Sequence, residues 1–213
     1  MSVAERERFE AGLFLEINSN QASAGSDIIQ AIWTVLDPFR AISVARLVVN
    51  SLAETTPLKG HLARSSVDAG RIKTASIVSF GLQPITKRSG EDSLFYLWND
   101  TDAKSRFQAG QKNDADLQAY LDFSVHNISA FLNGVKVAIG SNKWRIAVKD
   151  GPGVLSVTTI NGLIILMRKL IATGQITIAD PVPDFSPLST FDFNSYKSSQ
   201  YADMATHMAK LIK

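Results

Sequence analysis

The chain has 213 residues, 45% of them hydrophobic and 20% charged, the balance of a globular protein able to bury a full core. It has no cysteine, which excludes disulfides, thiolate catalysis and cysteine-based zinc sites and fits a cytoplasmic address. With 22 bases against 20 acids, a net charge of +2 does not by itself declare a nucleic-acid binder.

A first helix is predicted over residues 3–17, where Phe9, Leu13 and Ile17 recur at four-residue spacing and charges fill the opposite face. Its Glu5-Arg6-Glu7-Arg8 stands where a secretory signal would carry apolar residues, and Asn18-Ser19-Asn20 favours a turn at its end. Ser26 or Asp27 can cap a second helix, whose Ile28, Ile29, Ile32, Trp33 and Leu36 form a wide stripe expected to be buried before Asp37-Pro38 ends it. A third helix over residues 42–52 leads into a loop at residues 56–60. The short apolar runs at residues 76–85 and 93–98 fit a buried strand or a helix equally well.

From Asn113 onward the pattern is that of a long core helix, with Asp114 and Asp116 at its amino end and Leu117, Tyr120, Leu121, Ile128, Phe131, Leu132 and Val135 along one face. Gly151-Pro152-Gly153 breaks the chain, Ser156, Thr158 or Thr159 can cap an apolar helix over residues 160–172, and Gly174 closes it. A proline-rich linker at 180–187 then delivers a last amphipathic helix over residues 198–212. No apolar run reaches the roughly 20 residues of a membrane span. The expected fold is mainly α, a multi-helix globular domain with at most a few short strands, around Ile77 and Leu94.

Chemistry-bearing patterns are sparse. His61, His126 and His207 are far apart in sequence, and Asp122 with His126, one helical turn apart, reads as a hydrogen-bonding pair; no metal site or cofactor is expected. Gly151-Pro152-Gly153 lacks the GK[ST] ending of a phosphate loop, and neither a Gly-x-Ser-x-Gly elbow nor an HExxH helix occurs. Asn161, Arg168 and Lys169 would suit a groove-reading helix, but the apolar residues on almost every side of that segment argue for burial. The bases Arg40, Arg46, Lys59, Arg64, Arg71, Lys73, Lys87 and Arg88 outnumber Glu54 and Asp68 in their stretch. They form either a phosphate-facing surface or a solvated basic lobe beside the acid-rich residues 91–122. Arg46 and Lys59, flanking Val48-Val49-Asn50, are expected to be exposed.

The segment Gly12-Leu13-Phe14-Leu15-Glu16-Ile17-Asn18-Ser19-Asn20-Gln21 resembles the FxxIN-nQ segment of DGQHR-domain proteins, the DndB-like branch of the ParB-like superfamily found at bacterial DNA-modification loci. Pro57-Leu58-Lys59-Gly60, residues 72–82 and Tyr196-Lys197-Ser198-Ser199-Gln200-Tyr201 resemble later pieces of that family in the same order. The family's Asp-Gly-Gln-His-Arg motif is absent, so the resemblance implies the downstream portion of a larger protein or a short form without a complete catalytic centre. It divides the chain into a remnant of the ParB-like core at residues 1–36 and a helical domain at 37–213. It also implies a ligand role for Glu16 and Asn18, which match positions near the family's nucleotide or phosphate site; helix-end capping is their alternative reading.

Three functions are therefore expected candidates. The first is a DNA-associated accessory or regulatory domain without catalysis of its own. The second is a protein-interaction or assembly module, joined to a protein partner or to further copies of itself, and the third is a ParB-like nucleotide hydrolase or nuclease. A membrane partner is not expected.

Overall fold

The computed structural model describes residues 2–19, 26–64, 68–148, 151 and 153–212, and of residues 4 and 15–19 the backbone alone. The fold is mainly α. Its helices run α1 (Val3–Ser19), α2 (Ser26–Leu36), α3 (Ala41–Glu54), a π-helix (Ile77–Leu82) continuing into α4 (Gln83–Thr86), then α5 (Leu94–Leu97), α6 (Thr101–Gln108), α7 (Asp114–Ile139) and α8 (Val157–Ala172). Two 3-10 turns (Ser186–Thr190 and Phe193–Ser195) precede α9 (Tyr201–Leu211). Among the described residues, strand-like pairing is confined to two isolated bridges, Leu62 with Ile72 and Ile146 with Leu155. The segments around Ile77 and Leu94, open between strand and helix in the sequence, are helical. Both segments are short and buried on more than one side, a condition in which periodicity does not separate the two states. No helix among the described residues is long and apolar enough to cross a membrane.

Local chemistry explains several helix ends. The Asn113 side chain accepts from the backbone N–H groups of Ala115 and Asp116 at the start of α7, and the Ser156 hydroxyl accepts from Thr159 N–H at the start of α8. Gly174, with φ +72°, takes the left-handed conformation just past the end of α8. Helix α6 was not among the predicted elements, although Asp100 marks it by accepting from Ala103 N–H.

Helix α8 is the axis of the core. Ile160, Leu163, Ile164, Leu166, Met167 and Leu170 are all buried, so the buried reading of this segment holds, and Asn161 sits inside. The absence of a side chain at Gly162 lets α9 come close, since a Cβ there would lie 2.6 Å from Met204 Sδ. Gly81 does the same for the π-helix, where a Cβ would lie 2.7 Å from Asn161 Oδ1. At the other end, α5 and α6 clamp onto α7 through Phe95, Trp98, Phe107 and Tyr120, whose rings meet at tilted or edge-on angles. Arg106 holds Asp116 bidentately, at 2.7 and 2.8 Å, and ties α6 to α7.

Asn161 is fully buried, and both ends of its amide meet no hydrogen-bond partner. Because an unsatisfied buried polar group costs about 1–3 kcal/mol, Asn161→Leu is expected to raise stability by about that amount in urea unfolding. A loss of stability would show that the amide is satisfied in solution.

Candidate functional site

Helix α2 buries a polar residue and leaves part of its apolar surface open. Gln30, 4% exposed, is its one buried residue; the Nε2 group donates to Ala75 O and to Ser79 Oγ, both at 3.0 Å, at the start of the π-helix. Arg46 of α3 pairs with Asp27 and reaches Thr74 Oγ1 at 3.4 Å. Ile28 and Val35, by contrast, are 46% and 42% exposed. Of the stripe expected to be buried, Ile29, Ile32, Trp33 and Leu36 are half-buried and Ile28 is exposed, while hydrogen bonding and ion pairing help to orient the helix on the body.

Helix α1 repeats the pattern. Phe9 is 63% and Leu13 46% exposed. Together the two helices frame an open cleft of about 600 Å³ floored by Ile28, Ala31, Ile32 and Val35 and walled by Ala11. Glu7, Glu10 and Asp27 stand on its rim with Arg46 and Arg64. An amphipathic period in α1 was legible in the sequence, but nothing there says which surface, if any, covers it. Gln30, a lone amide among isoleucines, was the available signal that α2 makes a polar contact with the body.

The eight predicted phosphate-facing bases fall into several neighbourhoods. Arg46 is buried, 6% exposed, which corrects its expected exposure, because Asp27 and Thr74 draw its guanidinium inward. Arg64 pairs with Glu54. Lys87 holds Asp92 at 3.1 Å, and Arg168 pairs with the same carboxylate. Burial opposes ionisation of Asp92, but these two cations outweigh it and hold its carboxyl below the usual range. Arg88 packs over Phe107, and Arg40 lies over Trp33 with 3.8 Å between guanidinium and ring centre. Lys73 is exposed beside buried Ile72.

Arg71 reaches the loop that carries Lys59. Arg71 donates to Gly60 O at 3.0 Å, next to exposed Lys59, and His61 beside them feels the charges of both Arg71 and Lys136 from α7. Desolvation, followed by the Lys136 and Arg71 charges, lowers the His61 pKa. A histidine with a depressed folded pKa binds fewer protons folded than unfolded, so stability rises with pH until the unfolded value, about 6.5, is passed. His61→Gln is expected to flatten the loss of stability as pH falls through and below 6.5. Identical pH profiles of the thermal midpoint for variant and parent would contradict this.

Glu16 and Asn18 belong to the last turns of α1, and their side chains lie outside the described residues, as do Asn20, Gln21 and Pro152. Asp122 accepts from Gln118 Nε2 at 2.8 Å and lines a shallow cleft with His126, Ser51 and Thr55. His207 Nδ1 lies 2.5 Å from the Tyr196 hydroxyl. Among the described residues, no group of three or more His, Asp or Glu side chains is placed to hold a metal ion. In comparisons with known proteins, the chain matches no family model, no curated protein and no solved structure.

Proposed function

We propose that this protein is an assembly module whose contact surface is the cleft formed by α1 and α2. The observation that carries the reading is the apolar edge that α2 presents to the cleft, where Ile28 and Val35 are open to water beside half-buried Ile32. An apolar face of this kind on a soluble fold marks an interaction surface, because leaving it in water forfeits about 25 cal/mol for every Å² that a partner would cover. Light scattering combined with binding of an apolar fluorescent dye tests the reading. The expected result is either an assembled chain or a monomer that binds dye, with Ile28→Arg abolishing whichever is seen. A strict monomer that binds no dye would overturn it.

A second reading, of a DNA-associated accessory domain, is favoured by Arg71 and Lys136 beside His61 and by the resemblance to DGQHR-domain proteins. Under it, affinity for duplex DNA falls steeply as salt rises, because each neutralised phosphate releases counterions, and Arg71→Glu weakens binding and makes the salt dependence shallower. Salt-insensitive binding, or binding indifferent to Arg71→Glu, would remove it.

A further inference from the structure

A separate cavity, of about 340 Å³, lies between the turn that joins α4 to α5 and the side of α6. Among the described residues that line it are two cations, Arg88 from the turn and half-buried Lys104 from α6, and one carboxylate, the exposed Glu91. Aromatic faces hold both cations. The Arg88 guanidinium lies 5.4 Å from the centre of the Phe107 ring and Lys104 Nζ 5.7 Å from that of Phe95, and the two rings meet edge-on, 6.1 Å apart. Lys104 Nζ also donates to Tyr96 O at 2.9 Å. Among the described residues neither cation forms an ion pair. Asp92 is taken up by Lys87 and Arg168, Asp100 accepts from Ala103 N–H, and neither they nor Asp102 line the cavity.

The geometry points to a binding site for the phosphate group of a small phosphorylated molecule, with Arg88 and Lys104 donating to its oxygens. A guanidinium and an ammonium set on packed rings are oriented before a ligand arrives, and an anion supplies the counter-charge that each lacks. Partial burial lowers the Lys104 pKa, a cost that a bound anion offsets. A phosphate monoester suits the pair better than a carboxylate, because it carries about two negative charges at neutral pH. The exposed Tyr96 ring and the Gln108 amide offer the rest of the ligand an apolar surface and a hydrogen-bonding group. The volume falls near the lower end of the range of about 300–1,000 Å³ for small-molecule sites. Glu91 opposes the anion and so limits its affinity.

Titration of the full chain with inorganic phosphate and with phenyl phosphate, against chloride at matched ionic strength, tests the assignment through backbone amide chemical shifts. The expected result is saturable shifts concentrated at residues 88–96 and 104–108, with phenyl phosphate the tighter ligand because its ring can lie against Tyr96. Arg88→Gln and Lys104→Met are each expected to weaken binding roughly tenfold or more, the scale of one charge-assisted hydrogen bond. Glu91→Gln is expected to tighten it, the reverse of its effect on a site for a cation. Arg88 and Glu91 are exposed, so their replacement leaves the core untouched, which circular dichroism verifies. Shifts that do not saturate, affinity indifferent to Arg88→Gln, or binding weakened by Glu91→Gln would overturn the assignment. An oligonucleotide without a terminal phosphate is expected to leave phenyl phosphate in place; its displacing that ligand would give the two cations to a polynucleotide backbone and overturn the small-molecule site.

Discussion

Replacing Tyr120 with alanine is expected to lower the unfolding free energy by about 3–5 kcal/mol, the range for truncating a fully buried aromatic side chain. Tyr120 has no exposed surface, and its ring lies 5.5 Å from that of Phe95, 5.1 Å from Trp98 and 6.4 Å from Phe107. Removing it opens a cavity at the point where α5 and α6 join α7, and rings held on several sides cannot all collapse into it. The hydroxyl contributes separately: it donates to Thr86 O at 3.0 Å, and burial pushes its pKa well above the usual tyrosine value, so it remains a donor throughout the accessible pH range. Tyr120→Phe keeps the ring and strands the Thr86 carbonyl, at a cost of about 1–2 kcal/mol. Urea titrations of the two variants separate packing from hydrogen bonding. Similar losses in both would mean that the ring packing contributes little.

The pair of Arg46 and Asp27 should respond asymmetrically. Asp27→Ala leaves a guanidinium whose side chain is 7% exposed without its counter-ion, and stranding a buried charge costs about 3–5 kcal/mol. Arg46→Met keeps the aliphatic volume and strands only Asp27, which is 27% exposed and can still be hydrated, so about 1–2 kcal/mol is expected. The double variant should recover most of what Asp27→Ala loses, because no unpaired charge then remains. Hydrogen exchange adds a local readout: α2 amides are expected to lose protection in Asp27→Ala before the α7 and α8 amides do. If Arg46→Met proved the more damaging change, the burial assigned to its side chain would be wrong. The outcome also bears on DNA association, since an arginine that holds α2 in place affects DNA through folding and not through phosphate contact.

The amino-acid sequence by itself determined the class of fold and the centre of the core. The length and period of the run beginning at Asn113 define α7, and Ser156, the apolar residues after it and Gly174 define α8, because capping and burial patterns are local and repeat over many residues. The segments at Ile77–Leu82 and Leu94–Leu97 were not decided in this way: each is too short for its period to register, and contact with α3, α7 and α8 selects helix for them. The candidate site was legible only in part. Apolar periodicity in α1 and α2 announces that each has a face to cover, but which face turns inward depends on groups distant in sequence. Gln30 bonds the chain 45 and 49 positions on, and Arg46 pairs with Asp27 across 19. Charge followed the same rule: eight bases close together in sequence are dispersed by folding, while Lys136 comes from α7 to stand near Arg71. Local pattern thus set which residues form helices, and only tertiary contact decided which of their faces meets water.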